Sequence, residues 1–219
     1  MKMRKEELIL LPRECLVRTG PVDHADWNYS SILGVIQRMR FRAVVSMLQG
    51  CRFKRILEVG YGSGIFLPEL ARHCDELHGI DIHSMNQIVE DILEKNNLEV
   101  SLKSGSVTKM PFENRFFDCV IAISALEFVD DIDAACVEIA RVLKPSGNFI
   151  VITPGFSQLV DIGLRVLTGE SAKTDYASRR QELGSILLKR FEVIEHRTIP
   201  SWGGNLATLY RIYKFKHHG

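Results

Sequence analysis

Between Arg55 and Ile65 the chain reads Arg-Ile-Leu-Glu-Val-Gly-Tyr-Gly-Ser-Gly-Ile, an apolar run followed by three glycines at alternate positions. Ile56, Leu57 and Val59 have the make-up of a buried strand. Gly60, Gly62 and Gly64 read as a tight turn, and Ile65-Phe66-Leu67-Pro68-Glu69-Leu70-Ala71 opens a helix. Glycine is required where the backbone takes positive φ, or where a ligand must lie against the main chain with no Cβ in the way. A strand, a glycine turn and a helix in succession form a βα unit, and an α/β sheet is the architecture that takes such units. The turn is expected to make a cleft lined with free backbone N–H groups, suited to an anionic group.

The spacing narrows the ligand. A dinucleotide fingerprint needs a small residue at its third glycine position. Counted from Gly60 and Gly62, that position is Ile65, large and β-branched. The pattern is instead Glu-x-Gly-x-Gly-x-Gly from Glu58 to Gly64, and it resembles the first motif of the class I S-adenosylmethionine (SAM) dependent methyltransferases. Further on, Glu76-Leu-His-Gly-Ile-Asp-Ile82 looks like a second strand ending in the carboxylate of Asp81, seventeen residues past Gly64. Such a carboxylate can accept bonds from both ribose hydroxyls. Lys103 to Ile121 is similar to the family's stretch from third to fourth strand, and Glu138 to Thr153 resembles its fourth helix, turn and fifth strand.

The resemblance implies a cofactor site. Glu58, a carboxylate within an apolar strand, would face the methionine end of SAM, because an unpartnered acid there would be costly. Gly60, Tyr61, Gly62 and Gly64 would form the cradle, Asp81 would hold the ribose, and Ile82 would lie on the adenine. Ser106 and Val107 occupy the place where family members often carry an aspartate for the adenine amino group; a serine hydroxyl or a backbone amide would do that work here. Ile123 and Ser124 would face the methionine part of the cofactor, and Glu127 either faces substrate or caps the next helix.

Composition sets limits on partners. The chain has 219 residues, which is one-domain length. A net charge of +1, without a basic stripe, argues against nucleic acid. No apolar run approaches the roughly 20 residues that cross a bilayer, so no stable membrane insertion is expected. Two acids and Pro12 interrupt any signal peptide at the N-terminus, and a cytoplasmic location is expected. The scattered cysteines and histidines show no metal-ligand spacing; Cys119 and Cys136 read as buried thiols.

Periodicity gives a βα alternation. Residues 1–25 read as an irregular arm and 26–49 as a helix, so that 1–50 forms an N-terminal lid or cap and 51–219 the SAM-binding domain. Strand 54–60, helix 64–74, strand 76–81, and helix 85–96 capped by Ser84 come next. Strand 98–103, strand 117–123, helix 131–143 and strand 148–153 follow, with Pro145 and Gly147 marking the last turn. Residues 191–199 and 206–215 look like an antiparallel pair joined through Trp202-Gly203-Gly204. The alternation means a doubly wound, mostly parallel α/β sheet, and the resemblance implies that it is seven-stranded and Rossmann-like, with an antiparallel C-terminal edge strand.

Two segments carry paired readings. Asp23 to Tyr29 is either a capped helix start with Trp27 folded onto the core, or a lid whose Tyr29 or Trp27 closes over the site. The stretch 154–185, with Phe156, Leu159, Val160, Ile162, Leu164, Val166 and Leu167, is either an acceptor-pocket insertion or a helix covering the sheet. No nucleophile–base constellation is legible, which suits in-line methyl transfer to a small-molecule or lipid-like acceptor. A catalytically silent SAM-binding module and a nicotinamide-dependent oxidoreductase are the alternatives.

Overall fold

The structure, a computed structural model, describes residues 7–21, 23–155, 175–202 and 208–217, with 175–181 described by backbone only. Seven strands form one sheet: β1 (Phe53–Val59), β2 (Cys74–Asp81), β3 (Ser101–Ser104), β4 (Phe117–Ile123), β5 (Leu143–Pro154), β6 (Glu192–Ile199) and β7 (Tyr210–Lys216). Their spatial order is β3-β2-β1-β4-β5-β7-β6. The pairs from β3 to β5 are parallel, and β7 runs antiparallel to both β5 and β6. The antiparallel C-terminal strand thus belongs to an edge pair and lies one place in, with β6 outermost.

Among the described residues five helices flank the sheet: α1 (Leu33–Leu48), α2 (Leu67–Ala71), α3 (Asn86–Lys95), α4 (Ile132–Val142) and α5 (Asp175–Arg190). Successive strand residues point to opposite faces. Along β1 Ile56 therefore enters one apolar layer with Phe41, Leu70 and Val89, while Leu57 and Val59 enter the other with Ile139 and Leu187. Helices α1 to α3 cover the first face, and α4 and α5 the second. Covering both faces is why Ile56-Leu57 in β1 and Cys119 to Ile123 in β4 are apolar at successive positions rather than alternating. Cys119 and Cys136 are fully buried.

Local details differ from the periodicity reading. Helix α2 is shorter than 64–74, because Phe66 to His73 closes with tight three-residue bonds such as Glu69 N–H to Phe66 O (3.1 Å) and His73 N–H to Leu70 O (3.0 Å). Ser84 does not cap α3; the ring Nδ1 of His83 accepts from Met85 N–H at 3.1 Å instead. The turn expected at Pro145 and Gly147 falls within the span of β5, where Ser146 between them is left-handed (φ 61°). The insertion residues from Phe156 to Leu167 and the turn glycines Gly203 and Gly204 lie outside the described residues.

The first fifty residues are not a loose arm where they are described. Leu11 is fully buried, its N–H donates to Ile65 O at 3.0 Å, and Ile9 N–H donates to Glu69 Oε2 at 2.7 Å. Tyr29 donates its hydroxyl proton to Leu11 O, and Phe41 of α1 stacks on Phe66 with centroids 4.3 Å apart. These bonds draw α1 and the turn before it across the carboxyl ends of the strands. The order of strands reverses between β1 and β4, and it is at the carboxyl ends of two such strands that α/β sheets open a crevice.

Candidate active site

That crevice is a chamber of ≈ 910 Å³, walled by the carboxyl ends of β1, β2, β4 and β5, the start of β7, and residues 19–41. Its volume lies within the usual range of small-molecule sites, about 300–1,000 Å³. All three turn glycines hold positive φ: 74° at Gly60, 52° at Gly62 and 75° at Gly64. A Cβ on Gly60 would lie 2.4 Å from Ala125 Cβ, so glycine is also what lets the turn approach the loop after β4.

The N–H groups of the three turn glycines are not free, contrary to the expectation from sequence. Gly60 N–H donates to Ile80 O (2.8 Å), Gly62 N–H to Asp81 Oδ2 (2.8 Å) and Gly64 N–H to Tyr61 O (2.9 Å). The acids Glu58, Asp81 and Asp23 also line the chamber around it. An acidic cleft whose glycine donors are engaged repels a pyrophosphate and suits a ligand offering hydroxyl and ammonium donors. This disfavours the dinucleotide alternative on electrostatic grounds.

Each expected residue can now be placed. Glu58 is 4 % exposed, and its Oε2 is buried with no hydrogen-bond partner. Burial pushes its pKa up to about 8; Asp81 adds to the rise and Arg40 opposes it. Asp81 is not a solvated strand-end acid. Its side chain is 16 % exposed and fixes the turn through Gly62 N–H, with a longer bond of 3.4 Å from His83 N–H to Oδ1. Lone pairs remain on both oxygens for ribose hydroxyls.

Tyr61 lines the chamber but packs its ring into the core. A Cβ on Gly79 would meet that ring at 2.7 Å, so the glycine in β2 makes room for it. Burial raises the pKa of its phenol, which has no hydrogen-bond partner. Ile82 is 81 % exposed at the chamber wall. Ser106 Oγ is engaged with its neighbour, accepting from Thr108 N–H (3.2 Å) and sharing a proton with Thr108 Oγ1 (2.7 Å). Val107 is buried beside it. Ile123 ends β4, and Ser124 takes φ 51° with its hydroxyl buried and unpaired against the chamber. A serine in this sparsely used conformation is the type of local strain that collects at functional sites.

The turn before α1 divides the two lid residues. Trp27 lines the chamber, stacked on His24 at 4.1 Å, whereas Tyr29 is spent on Leu11. Asp23 accepts from Thr19 N–H and Ala25 N–H, each at 3.1 Å, and so holds this turn together.

Four site residues escaped the sequence reading. His83 Nδ1 accepts the hydrogen bond from Met85 N–H, so its Nε2 carries the hydrogen and donates to Gly62 O at 3.0 Å, locking the glycine turn from a second side. A histidine two places after the strand-end acid was the available signal. Arg40 and Gln37 reach the chamber from α1 at helical spacing with Ile36 and Phe41. Tyr210, at the start of β7, is brought in by its pairing with Pro154; no local pattern announces it.

The residues present fit SAM. The unpartnered, buried Glu58 carboxyl awaits a donor, the glycine turn leaves space where a side chain would stand, and Asp81 retains acceptor capacity. Residues 57–151 match the family described as "Methyltransferase domain". A malonyl-[acyl-carrier protein] O-methyltransferase from Chlorobium luteolum is 28% identical over 174 residues, covering 74% of this chain and 63% of that protein. A demethylmenaquinone methyltransferase from Tropheryma whipplei is 32% identical over 112 residues, covering 50% of this chain and 46% of that protein. The chain spans less than two thirds of the length of these curated relatives. Among solved structures, a SAM-dependent methyltransferase from Aquifex aeolicus superposes with a TM-score of 0.66 at 16% identity, covering 84% of this chain and 97% of that one, a likeness of fold.

Proposed function

Because the chain belongs to the class I SAM-dependent methyltransferases, whose cofactor is SAM, we propose that it transfers a methyl group to an apolar, small-molecule or lipid-like acceptor. The observation that carries this reading is the continuity of the chamber. The acidic cradle around Gly60–Gly64 opens, within one cavity, onto a wall of Trp27, Ile36, Phe128, Val129, Leu209 and Tyr210. Side chains of that kind exclude water and take up apolar surface at roughly 25 cal/mol per Å². Of the acceptors in the relatives' names, demethylmenaquinone is consistent with an apolar acceptor and malonyl-[acyl-carrier protein] with an acyl one.

Bound SAM supplies a methyl group on a sulfonium, activated for displacement. The chain's part is to hold, orient and keep dry. Asp81 would take the ribose hydroxyls on the oxygens that also fix Gly62, so the ribose and the turn are positioned by one group. Ile82 and the Ser106–Thr108 turn would bracket the adenine. Ile123, Ser124 and Ala125, at the end of β4, line the chamber that the glycine turn and the apolar side chains share. An acceptor lying there is placed for in-line attack, and such positioning contributes much of the rate of a displacement. A base is needed only where the acceptor atom carries a proton.

Incubation with methyl-labelled SAM and fractionated lipid and quinone extracts, followed by mass spectrometry, tests the proposal. Expected is label in an apolar acceptor together with S-adenosylhomocysteine. S-adenosylhomocysteine binding with no label transferred to any fraction would assign the chain to the silent binding modules.

A further inference from the structure

Gly62 is held at both of its backbone polar groups. Its N–H donates to Asp81 Oδ2 at 2.8 Å, and its carbonyl accepts from His83 Nε2 at 3.0 Å. Both partners belong to the corner between β2 and α3, where His83 N–H in turn donates to Asp81 Oδ1 at 3.4 Å. The imidazole is itself fixed. Its Nδ1 accepts from Met85 N–H at 3.1 Å, its side chain is 9 % exposed, and the Tyr61 ring meets it edge-on with centroids 5.0 Å apart.

A glycine in this place has reason to be held. At φ 52° it occupies a region that glycine enters and leaves at little cost, so local sequence does not keep the turn in one shape. A turn that samples several shapes must be ordered when a ligand arrives, and that cost is subtracted from affinity. Holding the N–H alone would leave the peptide after Gly62 free to swing its carbonyl; the imidazole removes that freedom. The tie also reaches α3. The helix begins at Asn86, beside the Met85 whose N–H His83 accepts, and a Cβ on Gly64 would lie 3.0 Å from Val89 Cγ1.

Building on the methyltransferase reading, we propose that His83 is a positioning residue for the cofactor, setting the affinity of the site through the Gly62 carbonyl. With Gly62 fixed at both ends, the glycine turn stands in its binding shape while the chamber is empty, and the cofactor meets a cradle already ordered. Asp81 and His83 divide the work: the acid keeps acceptor capacity for the ligand, and the imidazole acts on the turn alone.

Two substitutions separate the two bonds of the ring. His83→Asn can still accept from Met85 N–H but is too short to reach Gly62. His83→Gln can extend its amide nitrogen to the Gly62 carbonyl and gives up the bond to Met85. In calorimetric titrations with S-adenosylhomocysteine, His83→Asn should bind about tenfold more weakly than the parent, and His83→Gln within about threefold of it. Amide exchange gives a reading independent of affinity: in the unliganded His83→Asn protein the Gly62 N–H should exchange faster than in the parent, and S-adenosylhomocysteine should restore its protection. The opposite order, with His83→Asn binding as the parent does and His83→Gln weakened, would overturn the proposal and leave His83 as a cap of α3. Faster exchange would then fall at Val89, whose N–H donates to Met85 O, and not at Gly62. Parent-like binding in both variants, or equal loss in both with Gly62 protection unchanged, would overturn it too. A parent protein that does not bind S-adenosylhomocysteine refutes the methyltransferase reading itself, and the proposal falls with it.

Discussion

Replacing Glu58 by Gln should remove one component of this protein's pH-dependent stability, the part that builds between about 4.5 and 8. The carboxyl is buried to 4 % exposure, and its Oε2 has no partner. Burial is what lifts its pKa to about 8, from an ordinary 4.5. At about 1.4 kcal/mol per pH unit, that displacement corresponds to roughly 5 kcal/mol of folded-state preference for the neutral acid. Between these two values the native state binds a proton that the unfolded state has released. Stability therefore falls as pH rises from about 4.5, and levels off above about 8, when both states are ionised. Glutamine does not titrate. Urea melts of parent and variant from pH 5 to 9 should nearly coincide at the acid end and diverge toward the alkaline end, with the variant the more stable there. Taking the difference between the two proteins cancels every other titrating group. The same carboxyl should ionise when an ammonium arrives, so S-adenosylhomocysteine binding to the parent at pH 7 should release up to about one proton, seen as a buffer-dependent heat. Parallel pH profiles and a buffer-independent heat would show that Glu58 is already ionised against Arg40, and the burial argument would fail.

Asp81→Asn should do more than weaken the ribose contact. It also removes the charge from the acceptor that fixes Gly62 N–H, so S-adenosylhomocysteine affinity should fall about tenfold or more and the melting temperature should drop as well, read by calorimetry and a thermal melt. Gly60→Ala and Gly62→Ala should part company: both sit at positive φ, but only the first places a methyl 2.4 Å from Ala125. Gly60→Ala should therefore lose distinctly more stability in urea melts, beyond the roughly 1–2 kcal/mol that a left-handed alanine costs at either site. Arg141 ties the β3–β4 connection to α4, donating to Met110 O (3.0 Å), Phe112 O (2.8 Å) and Asn114 Oδ1 (2.7 Å) while pairing with Glu138. Arg141→Leu should loosen the wall at Ser106–Thr108, giving a loss of a few kcal/mol in stability and faster amide exchange across residues 105–116.

The strands and the glycine cradle were legible in sequence because their causes are local. Ile56, Leu57 and Val59 can only be so apolar if both faces of β1 are covered, and three glycines after Glu58 answer to backbone angles set within seven residues. Asp81 was found the same way, as the acid where an apolar run stops. What those residues do to one another was decided by the tertiary fold. The N–H groups of the three turn glycines look free in sequence, and folding commits them to Ile80, Asp81 and Tyr61, which turns an apparent anion site into an acidic one. Arg40, His83 and Tyr210 come from a helix, a strand-end loop and the seventh strand, and they meet only because β1 and β4 lie side by side while α1 crosses their ends. Spacing within an element follows from helix and strand geometry, which the sequence carries; proximity between residues 40, 58 and 210 is a property of packing, and packing exists only once the chain has closed.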